Sequence, residues 1–223
     1  MKSKNSTMKI LVIITTVVIV LGITLVVLNN NTNSEAGEKF AEQPPIEGQP
    51  VLGEDDAPVT VVEFGDFKCP ACKAWGETIF PQLVNDYVDT GDVKFSYINT
   101  LFHGKESTLA SMAAESVLHQ SPEAYWEFHE GLFNAQPSEN HDSSWITNEK
   151  IIEIANEIEN IDVEELELAL ENETVVEEVN KDTELVEEFN VQMTPSIMIN
   201  DIMLEDPFDY EAIKKLIDQE LEG

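Results

Sequence analysis

The chain has 223 residues, of which 25% are charged and 42% are apolar, a mixture typical of globular proteins with a buried core. Its 12 basic residues are all lysines and face 44 aspartates and glutamates, so the formal net charge is −32. Because phosphate binding needs clustered cationic side chains, this balance argues against a nucleic acid partner and indicates a solvated acidic surface.

A basic amino-terminal stretch, Met1–Lys9, precedes a long uncharged apolar run, Ile10–Leu28. A helix over this run is about 28 Å long, close to the hydrocarbon thickness of a bilayer. We predict that residues 1–29 form a single transmembrane helix that anchors the protein in the cell membrane. Lysines precede the run and none directly follows it, which predicts that the rest of the chain is extracytoplasmic. Cleavage as a signal peptide near Ser34–Ala36 is the open alternative.

The segment that follows, residues 30–50, is rich in asparagine, glutamate, glutamine and proline. Such a composition buries little apolar surface and predicts a tether. The remaining residues, 51–223, are predicted to form one folded domain.

The first part of this domain predicts a β-α-β unit. Val59–Phe64 is a β-branched run of the kind found in buried strands. Residues 70–88 have apolar side chains at helical spacing, and Pro81 is expected to kink or break this helix. Val93–Ile98 follows a turn signal and is predicted as a second strand, parallel to the first.

A helical block separates this unit from a second group of short strands. Pro195–Ile199 and Ile202–Leu204 are predicted strands, and Tyr210–Leu221 is a predicted closing helix. The sequence therefore predicts an α/β fold with a helical insertion at about 104–180. The helices of the block are predicted over 107–119, 122–133, 148–160, 163–170 and 175–189.

Two cysteines, Cys69 and Cys72, form a Cys-Pro-Ala-Cys motif after the first strand. They lie too close together to constrain the unfolded chain much, and a zinc site needs more ligands than this pair offers. The four histidines have no ligand spacing and no calcium-binding loop motif is present, so we predict neither a metal nor another cofactor.

The position of the motif favours redox chemistry. Cys69 is predicted to begin a helix, where free N–H groups and the helix dipole favour a thiolate. Cys72 then lies one turn further along and can close a disulfide with Cys69 after thiol exchange.

The stretch VVEFGDFKCPACKAW, residues 61–75, resembles the active-site segment of the DsbA family of thiol–disulfide oxidoreductases, of the membrane-anchored type of Gram-positive bacteria. Thr194-Pro195 before the second group of strands and the position of the helical insertion match that family as well. The resemblance covers about residues 50–221. It implies a thioredoxin fold with an inserted helical domain, preceded here by the transmembrane helix.

The resemblance also implies roles for individual residues. Cys69 would be the nucleophile and Cys72 the resolving thiol, the two forming the redox-active disulfide. Glu63, buried beneath them in the strand, would move a proton to or from Cys72. An exposed position for Glu63 at a sheet edge is the alternative.

A second set of implied residues concerns the substrate. Pro195 would follow a cis peptide bond and so leave the Thr194 backbone free to pair with an extended peptide. Pro70 and Phe67 are predicted to contact the substrate, Phe67 as part of an apolar groove.

Export and the resemblance together predict an enzyme that introduces disulfides into exported proteins, a dithiol oxidase. Ala71 replaces a histidine familiar in some DsbA proteins, so we expect a milder oxidant in which Lys68 or Lys73 partly compensates. Its expected partners are protein thiols and a DsbB-type quinone-linked membrane protein. The alternatives are an exported reductase or isomerase, or a non-catalytic acidic binding module on a thioredoxin fold.

Overall fold

The computed structural model describes residues 14–15, 37–140 and 143–222. The chain divides into two compact units, residues 1–38 and 39–223, and the fold described below belongs to the second. The predicted transmembrane helix falls almost wholly outside the described residues. Within the part that is described, no helix has the length and apolar character needed to cross a bilayer.

A mixed sheet forms the centre of the second unit. Its central strand is fully buried, as expected for its β-branched side chains, and runs parallel to the strand that follows it in the chain, which confirms the predicted β-α-β unit. Across the described residues the strand order is β1-β6-β5-β3-β4-β2. The strands are β1 (Glu38–Lys39, of which Lys39 begins this unit), β2 (Val51–Leu52), β3 (Val59–Gly65), β4 (Val93–Asn99), β5 (Ser196–Ile199) and β6 (Ile202–Met203).

The helices follow the predicted order, with local differences at Val84–Val88, at Pro122–Ala124, which is a 3-10 helix, and at the end of α5. They are α1 (Pro70–Thr78), α2 (Phe80–Leu83), α3 (Lys105–Gln120), α4 (Tyr125–Asn134), α5 (Asn148–Ala155), α6 (Val163–Asn172), α7 (Val176–Glu188) and α8 (Tyr210–Glu222). The expected break near Pro81 is confirmed, because this residue lies in the first turn of α2, where its missing N–H does no harm. Val84–Val88 continues the segment as a π-helix.

A further difference is the end of α5. The prediction extended this helix to residue 160, whereas it ends at Ala155. Turns follow, and Asn160 has a left-handed backbone with φ of 67°, a conformation that asparagine tolerates better than most residues. The helical spacing of apolar residues continues past the point where the backbone leaves the helix.

The helical insertion packs on one face of the sheet and encloses the cysteine motif. One core cluster contains Cys69 and Cys72 together with Tyr97 of β4 and side chains from α3 to α7. A second cluster on the other face includes Phe64, Ile98, Phe189 and Met198. The motif therefore lies where the sheet meets the insertion.

A buried polar cluster ties the insertion to the end of β4. Asn99 Nδ2 donates to Glu115 Oε1 of α3 at 2.8 Å and to Asp182 Oδ2 of α7 at 2.7 Å. Burial, and next the charge of Asp182, raises the pKa of Glu115 to about 8. Burial likewise raises the pKa of Asp182 to about 6, against the hydrogen bonds that it accepts.

Candidate active site

The chain geometry between β3 and α1 places Cys69 at the start of the helix. Cys69 is the N-cap residue of α1, and Pro70 occupies the first helical position. Cys72 lies one turn inside the same helix. Cys69 is 7% exposed and Cys72 is 1% exposed, so a partner can approach only the first sulfur.

The Cys69 thiol is strongly acidified. Its pKa falls to about 5, first because the Cys72 thiol donates a hydrogen bond to its sulfur. The Thr194 side chain and the backbone N–H groups of Cys72 and Ala71 lower the pKa further, whereas partial burial opposes them. The predicted acidification is confirmed, although the neighbouring thiol contributes more than the helix terminus does.

The Cys72 thiol has the opposite character. Burial, the hydrogen bond that it gives to Cys69 and the nearby Glu63 charge raise its pKa well above the ordinary value. The backbone N–H of Asp66 donates to Cys72 Sγ at 3.4 Å and acts the other way. One sulfur is therefore a ready thiolate and the other holds its proton.

Glu63 lies in the middle of the sheet beneath the two sulfurs. It is 2% exposed and sits on central strand β3, opposite Tyr97 of β4 and Ile197 of β5. Burial, and next the charge of Cys69, raises its pKa well above the ordinary value. The buried position predicted for Glu63 is confirmed, and the sheet-edge alternative is wrong.

The loop before β5 covers the Cys69 sulfur. The Thr194–Pro195 peptide bond is cis, as expected. Cys69 Sγ lies 3.4 Å from the Thr194 carbonyl oxygen, and the preceding residue, Met193, is 63% exposed. The loop thus places the half-buried Thr194 next to the acidified thiol.

Phe67 occupies a different position from the predicted one. It is 1% exposed, and its ring lies 5.2 Å from the rings of Tyr97 and Phe133 and 5.3 Å from His129, measured between centroids. This side chain belongs to the core between sheet and insertion, which corrects its assignment to a substrate groove.

The two lysines near the motif also differ from expectation. Lys68 Nζ bonds to Glu106 Oε2 at 3.0 Å and to the Ser143 carbonyl, while Lys73 Nζ donates to the Phe133 carbonyl at 2.8 Å. Both ammonium groups therefore bind Glu106 or backbone carbonyls and not the Cys69 sulfur. The Cys69 thiolate is stabilised by hydrogen bonds instead of the expected lysine charge.

The sequence pattern missed two residues at this site, Asp66 and His103. His103 Nδ1 lies 2.7 Å from Asp66 Oδ2, although the residues are 37 positions apart. An aspartate beside the motif gives no sign of burial, so only the fold reveals the pair. No group of three or more histidine, cysteine, aspartate or glutamate side chains is arranged to hold a metal ion in the part of the chain that the structure describes.

Comparison with known proteins identifies the family. A family model described as thioredoxin matches residues 46–219. Disulfide bond formation protein D of Bacillus subtilis (strain 168) is 45% identical over 194 residues, which cover 87% of this chain and 86% of that protein. The chain belongs to the DsbA-like thiol–disulfide oxidoreductases of the thioredoxin superfamily.

Solved structures of DsbA-like proteins share the fold. The crystal structure of oxidised BdbD from Bacillus subtilis superposes with a TM-score of 0.80 at 46% identity, over 83% of this chain and all of that one. DsbA of Chlamydia trachomatis superposes with a TM-score of 0.70 over 83% of this chain and 97% of its own, and at 22% identity it supports the fold alone. This DsbA-like protein is therefore a mixed α/β thioredoxin-like enzyme with a helical insertion.

Proposed function

We propose that this DsbA-like oxidoreductase is an extracytoplasmic dithiol oxidase that introduces disulfides into exported proteins. The observation that carries the proposal is the acidic Cys69 thiol, with a pKa of about 5, beside the cis Thr194–Pro195 loop. A thiolate stabilised in the reduced enzyme makes the enzyme disulfide a stronger oxidant. A reductase needs the opposite bias, so the acidity of Cys69 favours the oxidising direction.

The exchange follows from the contrast between the two sulfurs. A substrate thiolate attacks Cys69 Sγ of the oxidised enzyme, the Cys69–Cys72 bond breaks, and Cys72 leaves as a thiolate that takes a proton from Glu63. A second substrate thiolate then attacks the substrate sulfur of the mixed disulfide and releases Cys69 as a thiolate. Two substrate thiolates become one disulfide, and the enzyme disulfide becomes a Cys69 thiolate and a Cys72 thiol, with Glu63 left to regain its proton from solvent.

The surface around the site supports a peptide substrate. The Thr194 backbone lies at the sulfur, where it can pair with an extended chain, and Pro70 is half-buried beside it. Phe102 is 46% exposed and Met193 is 63% exposed. Phe102 lines a cavity of about 600 Å³ that continues to Gln192, next to Met193. Exposed apolar side chains such as Met193, one residue from the Thr194 carbonyl that contacts Cys69, suit unfolded chains, which expose apolar residues.

The location and the partner are part of the same proposal. Residues 1–29 form the membrane anchor, and the DsbA-like domain carries its insertion at about 104–180. The predicted tether, 30–50, is shortened at its end, because residues 39–50 belong to the folded unit, where Gln49 Nε2 donates to Asp182 Oδ1. The basic stretch before the uncharged run supports this arrangement. An anchor would confine the enzyme and a DsbB-type quinone-linked oxidant to one membrane and raise their effective concentration. Protease treatment of intact cells checks the location, because an extracytoplasmic domain is digested without lysis.

The reaction direction is tested by the reduction potential and by oxidative refolding of a reduced, disulfide-containing protein. We expect a potential above that of thioredoxin, which is about −270 mV, and stoichiometric oxidation of the substrate by the oxidised enzyme. Cys69→Ser abolishes this activity. A thioredoxin-like potential together with preferred reduction of substrate disulfides would favour the reductase, and full function of Cys69→Ser would favour the non-catalytic binding module.

A further inference from the structure

Asp66 is a buried carboxylate held by the helical insertion. Its side chain is fully buried, and Oδ2 accepts hydrogen bonds from the His103 backbone N–H at 3.2 Å and from Ser107 Oγ at 2.9 Å. The same oxygen lies 2.7 Å from His103 Nδ1, and Oδ1 accepts from the Lys68 N–H at 2.9 Å. The His103 side chain is 39% exposed, so this network reaches the surface.

The backbone of Asp66 contacts both cysteines. Its carbonyl accepts a hydrogen bond from the Cys69 N–H at 2.9 Å, and its N–H donates to Cys72 Sγ at 3.4 Å. One residue therefore joins the insertion, through its side chain, to both positions of the redox motif, through its main chain. No other hydrogen bond from a backbone N–H to Cys72 Sγ is found among the described residues.

The N–H contact matters because Cys72 passes through a thiolate in every thiol exchange at this site. The sulfur is buried, and an oriented N–H is one of the few groups that can stabilise negative charge there. The orientation of a backbone N–H depends on how firmly its loop is held in place. The Asp66 carboxylate holds this loop through its contacts with His103 and Ser107.

We propose that Asp66 and His103 are positioning residues for the Cys72 thiolate. His103 and Ser107 hold the carboxylate, the carboxylate holds the loop between β3 and α1, and the loop aims the Asp66 N–H at the sulfur. The proposal rests on the exchange at Cys69 and Cys72 in the proposed function but not on its oxidising direction. A purely structural network would support the fold and leave the chemistry of Cys72 unchanged.

The test follows the step in which Cys72 acts as nucleophile. In the reduced full-length chain, the Cys69 thiolate attacks glutathione disulfide, which gives the mixed disulfide of Cys69 with glutathione and releases a first glutathione thiolate; the second release is the step measured. The Cys72 thiolate then attacks Cys69 Sγ, the bond to glutathione breaks, and glutathione leaves as a thiolate while the Cys69–Cys72 disulfide forms. The rate of glutathione release is measured against pH, alongside the free energy of unfolding.

His103→Ala removes the side-chain contact to Asp66, and His103→Asn restores a donor near the position of Nδ1. We expect His103→Ala to slow release about fivefold at pH 7 and to raise the pH midpoint of the rate, because a weaker N–H contact makes Cys72 less acidic. His103→Asn is expected to recover most of the rate. His119→Ala, which alters a histidine of α3 whose side chain is 52% exposed, is the matched control and leaves the rate unchanged.

Ser107→Ala is a milder second variant that removes one donor to the same oxygen, and it is expected to slow release about twofold. An unchanged rate and pH midpoint in both His103→Ala and Ser107→Ala, with or without a loss of stability, overturns the positioning role. Equal slowing by His119→Ala overturns it as well. A wild-type protein that never releases glutathione contradicts the proposed exchange at these cysteines instead.

Discussion

Cys69 and Cys72 have the same side chain in the same helix, and their environments give them opposite acidities. Cys69 is at the helix start and accepts hydrogen bonds, whereas Cys72 is buried among apolar side chains next to Glu63. At the scale of single residues, the contrast comes from hydrogen bonding for the first sulfur and from desolvation for the second. Glu63 lies close to both sulfurs, and burial, then the charge of Cys69, raises the pKa of its carboxyl well above the ordinary value.

The proton-transfer role of Glu63 gives the first prediction. Glu63→Gln is expected to slow reduction of the enzyme disulfide by a substrate thiol by about tenfold or more at pH 7, because the leaving Cys72 thiolate loses its proton donor. Stopped-flow measurement of the reduction rate checks this. Glu171→Gln, at an exposed position of α6, is the control and should leave the rate unaltered. An equal rate in wild type and Glu63→Gln would contradict the role.

At the scale of secondary structure elements, the site depends on how β3 ends and α1 begins. The strand closes with Gly65, opposite Asn99 of β4, and the loop then turns directly into the helix. A Cβ at Gly65 would lie 2.4 Å from the Tyr97 ring, so the strand can end here only with glycine unless the ring moves. Tyr97 belongs to the core that encloses the cysteines, so the ring has little room.

Gly65→Ala is therefore expected to destabilise the fold by about 1–3 kcal/mol, the usual cost of overpacking a well-filled core. Chemical denaturation followed by tryptophan fluorescence measures the effect. Gly76→Ala, in helix α1, provides the matched control, because a Cβ at this position would have no neighbouring atom within 4 Å. This second change should stabilise the protein by about 0.5–1 kcal/mol through the helix propensity of alanine. Similar effects of the two changes would refute the argument from packing.

The polar cluster that joins β4, α3 and α7 predicts a pH dependence of stability. The pKa of Glu115 is raised in the folded protein, from 4.5 to about 8, so the folded state binds more protons than the unfolded state between these values. Its contribution is complete below the unfolded pKa, and stability falls as the pH rises towards 8. Asp182 and Glu178 raise this pKa and Lys181 lowers it.

Glu115→Gln keeps an acceptor for Asn99 and removes the titration. In buffer with a metal chelator, we expect wild-type stability to fall on the order of 2 kcal/mol between pH 5 and pH 8 because of this group, and Glu115→Gln to remove most of that fall. Denaturant unfolding at a series of pH values measures the difference. Parallel pH curves for the two proteins would show that Glu115 does not titrate in this range.

At the scale of the whole molecule, the net charge of −32 dominates long-range interactions. Such a charge attracts cationic partners and repels anionic ones over about a Debye length, which is about 10 Å at 0.1 M salt. Net charge of this kind concerns solubility and association and says little about the fold. It does bear on which thiols reach Cys69 fastest.

We expect a lysine-rich dithiol peptide to reduce the enzyme disulfide about tenfold faster than a glutamate-rich peptide of equal length at low salt. The ratio should approach one at high salt, because screening removes the attraction. Rates measured over a salt series check this. A ratio that stays constant with salt would indicate short-range selectivity at the site.

The order of the elements, the cysteine motif and the helix break near Pro81 were all predictable from the sequence. Each depends on near neighbours in the chain: strand and helix periodicity, a proline in a helix, a thiol at a helix start. The end of α5 was not predictable, because apolar spacing continues into turns where Asn160 leaves the helical conformation. The position of Phe67 was missed because one aromatic residue next to the motif suits a groove or a core equally well.

The amino-acid sequence alone was sufficient for the α/β class and the cysteine motif through local patterns, and for the DsbA-like fold and the buried Glu63 through the resemblance to that family. Contacts between distant parts of the chain decided the rest. Cys69 meets the Thr194 carbonyl across 125 positions, and Asn99 meets Asp182 across 83. Burial and hydrogen-bond partners set the acidity of a side chain, and both exist only after folding has brought such residues together.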